Sequence, residues 1–343
     1  NQIFHSNLIR SLSQNNEVTV FSSRKDRKEE HPSSSKKTGN ITWQYLATKK
    51  SGLKNIKAQR KEVSSFTKYN DVCFVDTTSF RCLLNARRYC KIKKIPLIGI
   101  VTDNPKNITN QKRIVSKIIF SLAKKCNAFV CLTDSLNKLF NKKKKKPYTI
   151  LKGINKGRVS GSKPVDFPYF FYAGTLLKKY GVYDLIEAFK VIKSKNVRLL
   201  ISGHHKEEGF EEYIKDYPNV VFLGNLDNNE ILNYENFSIA NINPRPFMED
   251  LDEYSVPSKV IEYSSKNSIV ISGVSTPLRE EFRASIVWFD NKHSLASRIY
   301  DVYKTGRITR SAMIKDMNAI CEKKFSINAV SKKMDRFLTT IFK

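Results

Sequence analysis

Tyr169-Phe-Phe-Tyr-Ala-Gly-Thr-Leu-Leu-Lys-Lys-Tyr-Gly181 runs into Val182-Tyr-Asp-Leu-Ile-Glu-Ala-Phe189. A short polar break then leads to Arg198-Leu-Leu-Ile-Ser-Gly203. An apolar run of strand length ends at a small residue, a loop turns, and apolar residues recur at helical spacing before a second apolar run. That is the β-α-β unit of a parallel sheet buried on both faces. The reading predicts strands at Tyr169–Tyr172 and Arg198–Ser202, with a helix over Val182–Lys193 between them. Working outward, it predicts strands at Val220–Leu223, Ser238–Ile242, Ser268–Ile271 and Ile286–Trp288, and a closing helix over Ile327–Phe342.

The first half repeats the alternation. Glu17–Ser22, Asn40–Ala47, Asp71–Val75, Ile95–Val101 and Ala128–Leu132 read as strands, Phe80–Lys93 and Arg113–Lys125 as helices, and Ser23–Gly39 as a polar loop. A lysine run, Lys142–Lys146, and the polar stretch Gly153–Lys163 interrupt the pattern. At 343 residues the chain exceeds one ordinary core. We expect an α/β protein of two doubly wound domains, residues 1–160 and 161–325, with 326–343 packing back toward the first.

The net charge is +29, and it is unevenly placed. Residues 1–165 hold 36 Lys and Arg against 9 Asp and Glu, whereas residues 166–343 hold 25 against 23. A lysine-rich composition bias would act on both halves, so the basic half points to an anionic partner such as a membrane surface or a phosphorylated substrate. Nucleic acid is not expected, because no recognition motif accompanies the charge. The six cysteines form no CxxC pair and read as buried reduced thiols, with no metal site expected. No leader and no apolar run of spanning length is visible, which predicts a cytoplasmic protein, peripheral on the inner face of the cell membrane.

Three segments carry chemistry. In the first, backbone amides after Gly174 and near Gly181 suit a diphosphate, with Lys178 and Lys179 adding positive charge. In the second, strands ending at Gly203 and Gly224 let a ligand approach the backbone at a crevice. The third is Asn243-Pro-Arg245 followed by Tyr254-Ser-Val-Pro-Ser-Lys-Val-Ile-Glu-Tyr263. Here Ser258 reads as a helix N-cap and Lys259 lies in the first turn, where it opposes the macrodipole. A bound anion would explain it. Glu262 falls on the same face as Ser258, placed to accept two hydrogen bonds from a ribose diol.

In this order and spacing, the three segments resemble the retaining nucleotide-sugar glycosyltransferases of group 1 (family 4). Ile95–Asp103, Val130–Thr133 and Pro147–Gly153 resemble landmarks of the members that build exopolysaccharides. The resemblance implies a GT-B fold of two Rossmann-like domains with an interdomain cleft. The donor would bind the second domain and a lipid-linked or saccharide acceptor the first, with configuration retained and no metal or other cofactor needed.

The sequence departs from the family at several points. Tyr254 stands where many members have a glutamate, so Glu253 or Glu249 is the candidate for the sugar-hydroxyl contact. Thr175 and Tyr180 stand where many members have basic residues, which leaves Lys178, Lys179, Arg245 and Lys259 to neutralise the diphosphate. The first strand and glycine-rich loop of the family are absent, so the chain is expected to start inside the fold. Asp103, at the end of an apolar strand, is the candidate to orient or deprotonate the acceptor hydroxyl. The competing readings are a non-hydrolysing nucleotide-sugar epimerase, for which only the adjacent His204 and His205 speak, a non-enzymatic nucleic-acid-binding protein, and an inactive remnant.

Overall fold

The computed structural model describes residues 2–23, 32–47, 52–66, 71–105, 113–143, 145–157, 161–246 and 252–342. Glu249 lies outside them. The chain forms two compact units. The first holds residues 1–154, 253–255 and 327–343, and the second holds 155–252 and 256–326.

In the first unit, β1 (Val18–Ser23), β2 (Ser34–Thr38) and β3 (Ile41–Leu46) make a small sheet in the order β1-β3-β2. Strand β2 runs antiparallel to β3 and lies inside the stretch read as a loop. Its residues, Ser-Ser-Lys-Lys-Thr, are all exposed, so no apolar alternation announces it. Backbone pairing with β3 alone defines it. Strands β4 (Cys73–Asp76), β5 (Leu97–Val101), β6 (Ala128–Cys131) and β7 (Tyr148–Ile150) form a second sheet, parallel throughout and in sequential order. No described strand bridges β1 and β4, so the expected single sheet is divided in two.

The β5 and β6 side chains are buried on both faces, as continuous apolar runs require. The Phe80–Lys93 helix begins where the Ser79 side chain accepts from Cys82 N–H, and it ends at Lys94 in the left-handed region. The opening helix Gln2–Leu12 packs on the closing helix Ile327–Phe342. Leu8, Leu12, Val330, Met334 and Phe337 cover Ile98, Ile100, Ala128 and Val130 of the sheet.

The second unit is built on one six-stranded sheet. Its strands are β8 (Tyr169–Ala173), β9 (Arg198–Ser202), β10 (Val220–Phe222), β11 (Ala240–Asn243), β12 (Ile269–Gly273) and β13 (Val287–Phe289). All pairs are parallel, in the order β10-β9-β8-β11-β12-β13. Counted from the unit's own first strand, this is the 3-2-1-4-5-6 order of a dinucleotide-type Rossmann sheet.

Alternate residues of β8 point to opposite faces. Phe170 and Tyr172 meet the helices Val182–Phe189 and Lys292–Lys304 on one side, while Tyr169, Phe171 and Ala173 meet Ile231 and Tyr234 on the other. Of the six cysteines, all are free; Cys82 is exposed and Cys73 only half-buried, which corrects the expectation that the set is buried. Burial pushes the Cys126 thiol up to about 12. Among the described residues no helix is long and apolar enough to cross a membrane.

Candidate functional site

In a sheet of this order the strands fan out in opposite directions from one point, and ligands settle beyond the carboxyl ends of the two strands that flank it. Here those strands are β8 and β11. The chain leaves β8 through Gly174 and Thr175, and leaves β11 through Pro244 and Arg245. Three of the donor residues expected from sequence therefore stand at the switch point.

Close backbone packing shapes this edge. Gly174 N–H donates to Ser202 O at 3.0 Å, and Gly203 N–H donates to Gly224 O at 3.0 Å. A Cβ built on Gly203 would lie 1.8 Å from the Gly174 carbonyl oxygen, so only glycine lets these two loops touch. Gly181, at φ +79°, starts the Val182–Phe189 helix, and a Cβ there would lie 2.1 Å from Pro244 O. The loops after β8, β9 and β11 are thus locked together through main chain. Tyr172 anchors the first of them, its hydroxyl donating to Thr175 O at 2.8 Å. Burial pushes that phenol up to about 12, so it stays a donor at neutral pH.

The third segment supplies the charges, with one correction. Ser258 is not the N-cap: the helix Ser258–Tyr263 is capped by Pro257 with no side-chain bond, and Ser258 is its exposed first residue. A proline preceding the helix fixes the entry, because its ring sets φ and its carbonyl accepts from Val260 N–H at 3.1 Å.

The Lys259 ammonium lies 3.1 Å from Glu262 and 3.5 Å from Glu235. Carboxylates of the protein itself therefore offset a lysine at a helix start, and the bound anion invoked for that purpose is unnecessary. Burial works against the Lys259 charge, and neighbouring Tyr263, Glu262 and Glu235 overcome it, leaving the pKa raised. The Lys259 charge also reaches Tyr172 and steadies its phenolate form, which joins this helix to the Gly174–Thr175 loop. Lys259 and Glu262 are each about one-third exposed, at 34% and 32%, so both remain open to a ligand.

Glu235 is absent from the sequence reading. It sits in the helix Asn228–Phe237, set by an Asp227/Glu230 capping box. Its side chain is fully buried, between Lys259 and the equally buried Lys266 at 3.6 Å. Burial and the nearby Glu262 charge raise its carboxyl to about 7 against the pull of the two lysines. Removing one partner of such a buried pair typically costs about 3–5 kcal/mol. Within the helix, nothing local separates Glu235 from a solvated glutamate. Only the tertiary meeting with Lys266 reveals it.

The remaining expected residues are placed as follows. Lys178 N–H donates to Glu207 at 2.9 Å and its exposed ammonium is 4.0 Å from the same carboxylate, a loose surface pair. Lys179 is exposed over the Tyr180 ring. Asp103 and Glu253 both belong to the first unit. Asp103 is half-buried, two residues beyond β5. Glu253 is exposed and accepts from Ser135 Oγ at 2.8 Å, while its carbonyl accepts from Thr133 Oγ1 at 2.9 Å, two residues beyond β6. These two carboxylates thus lie past the carboxyl ends of adjacent strands. Tyr254 packs against the first unit's core.

Residues 154–319 match the family model of the glycosyl transferases group 1. Close matches in fold include a sucrose-phosphate synthase from Thermosynechococcus elongatus, with TM-score 0.73, 13% identity, and coverage of 99% of this chain and 93% of that one. A structure described as trehalose-6-phosphate from E. coli bound with UDP-2-fluoro glucose matches with TM-score 0.72 and 10% identity, covering 98% and 95%. Anabaena HepE in complex with UDP-glucose matches with TM-score 0.58 and 13% identity, covering 82% of each chain. No curated protein matches the sequence. The fold is GT-B, and the class of enzyme is glycosyltransferase.

Proposed function

Taking a chain that carries a group 1 glycosyl transferase domain over residues 154–319 as the premise, we propose that its second unit binds a nucleoside-diphosphate sugar at the β8/β11 switch point. The sugar then passes, with retention of configuration and without a metal, to an anionic acceptor taken by the first unit. The observation that carries this reading is the switch point itself. Glycine-only loops bring bare backbone to one edge of the sheet, and the accessible Lys259–Glu262 pair stands on a helix packed against β11.

As the bond from the sugar's anomeric carbon to phosphate oxygen breaks, negative charge grows on the leaving diphosphate. Fixed amides and cations already in place stabilise that charge without reorganising. We assign this to the Thr175 amide, Arg245 and Lys259, with Gly174 and Gly203 admitting the ligand close to the backbone because they carry no side chain, and assign the ribose diol to Glu262. Lys178, Lys179 and Ser258 are outer members of the same set. Asp103 is assigned to the acceptor hydroxyl, whose oxygen bonds to the anomeric carbon while its proton leaves. Glu253 is assigned to the transferred sugar's hydroxyls. Isothermal titration with a panel of UDP-, GDP-, ADP- and dTDP-sugars tests the donor reading: one of them is expected to bind in the micromolar range, and no heat with any defeats it.

The first half's excess of 36 basic over 9 acidic residues favours an acceptor carrying phosphate. Two kinds fit: a lipid-linked saccharide of cell-surface polysaccharide assembly, or a sugar phosphate of the kind the synthase names imply. The helix Arg113–Ala123 favours the lipid. It docks on the core through Ile119 and Ala123, yet leaves Ile114 at 72% and Ile118 at 42% exposure, one turn apart and beside Lys117. The Ile114→Ser/Ile118→Ser variant is expected to lose several-fold in affinity for phosphatidylglycerol vesicles at low salt, read by co-sedimentation. Wild-type protein that stays in the supernatant at about 10 mM salt, where the Debye length reaches about 30 Å, counts against a membrane surface.

A further inference from the structure

We propose that Glu235 is a positioning residue: it fixes the ammonium of Lys259 in the donor site, and Lys266 makes the burial of that carboxylate tolerable. The inference rests on the donor reading of Lys259 and Glu262. Glu235 has no exposed surface, and neither of its carboxylate oxygens has a hydrogen-bond partner. Instead each oxygen faces one ammonium, Oε1 toward Lys259 at 3.5 Å and Oε2 toward Lys266 at 3.6 Å. A buried carboxylate normally collects N–H and O–H donors, so this one is aimed at charge alone.

The anchor is rigid. The carbonyl of Glu235 accepts from Asn241 Nδ2 at 2.8 Å, Ser268 Oγ at 2.9 Å and Ser238 Oγ at 3.3 Å, which ties the helix end to β11 and to the turn before β12. Lys259 is the flexible member. A lysine is a point charge on a four-carbon stem with no geometry of its own, and a site needs its first-contact groups held by others. Glu235 holds the ammonium from the buried side, and Glu262 meets it from the accessible side at 3.1 Å. Without Glu235, Lys259 would be free to follow Glu262 or to turn to solvent. Lys266 touches nothing that a ligand would reach: its side chain is 3% exposed, and among the described residues Glu235 is the acidic partner recorded for it. The four side chains sum to no net charge when all are ionised, so the arrangement does not itself repel an anion.

A purely structural role would make Glu235 nothing more than the neutraliser of Lys266, and two sets of variants separate the roles. Glu235→Gln alone is expected to lower the melting temperature and to weaken binding of UDP, GDP, ADP or dTDP, whichever the wild type takes, by about tenfold, a coupling of ordinary size for contacting charges. Glu235→Gln/Lys266→Met removes both buried charges. It is expected to regain most of the melting temperature while its nucleotide affinity stays weak. In the second set, Glu235→Gln on a Lys259→Met background is expected to cost no further affinity, because Glu235 acts through Lys259. Wild-type affinity in the first double variant, or an undiminished further loss on the Lys259→Met background, overturns the positioning role and leaves the donor reading intact. A wild type that binds none of the four nucleotides overturns the donor reading and this role with it.

Discussion

Glu262→Ala is expected to lower kcat/KM for the nucleotide-sugar donor by about 100-fold or more, a loss near 2.7 kcal/mol of transition-state stabilisation. The circular dichroism spectrum should stay that of the wild type. The carboxylate is one-third exposed and its charged contact is Lys259, so its removal opens no cavity in the core. Lys259 keeps Glu235 as a partner. The loss therefore reads out ligand contact and not collapse. The ribose is bound in ground and transition states alike, so most of the effect should enter through KM if the diol is held evenly. A variant whose kcat/KM stays near that of the wild type removes Glu262 from the site.

Gly181→Ala is the second large effect, and it has an internal control. Both Gly181 and Gly209 hold left-handed backbone, at φ +79° and +76°, and both precede helices of the second unit. Alanine in that region costs about 1–2 kcal/mol at either place. Around Gly209 nothing lies within 4 Å of the added carbon, whereas at Gly181 it would meet Pro244 O at 2.1 Å. The Pro244–Arg245 loop, which borders the switch point, must shift to admit it. Gly209→Ala is expected to lower stability modestly and leave nucleotide affinity unchanged. Gly181→Ala is expected to be less stable still and to bind at least tenfold more weakly. Equal behaviour of the two variants in denaturant melts and titrations would show that the contact between the β8 and β11 loops does not matter.

The second unit was legible because parallel strands buried on both faces are written as unbroken apolar runs. Arg198–Ser202 has the same limits in sequence and structure, and so does the Phe80–Lys93 helix of the first unit. Strand β2 was not legible, because its five exposed polar residues pair through backbone and carry no side-chain pattern. The Arg307–Phe325 helix was passed over for a related reason. Only Met317, Cys321 and Phe325 of its nineteen residues are buried, so its apolar stripe is thin.

The site divides in the same way. Gly174, Gly203, Lys259 and Glu262 were candidates in the sequence because glycine at a strand end and charge at a helix start are local signals. Pro257 as cap, Tyr172 as anchor and Glu235 as partner came only with the fold, since each acts through residues distant in sequence. Glu207 was missed likewise, and it pairs loosely with Lys178, which sequence had offered to the diphosphate.

The closing helix Ile327–Phe342 has a consequence for how the protein is made. Its Val330, Met334 and Phe337 complete the core over Ile98 and Val130, yet they leave the ribosome only after the whole second unit. The second unit, which ends at Ser326, emerges before them, in a translation that proceeds at about 5–20 residues per second. The first unit is therefore sealed only after the second has emerged, and until then part of its sheet face, beyond what Leu8 and Leu12 cover, stays bare.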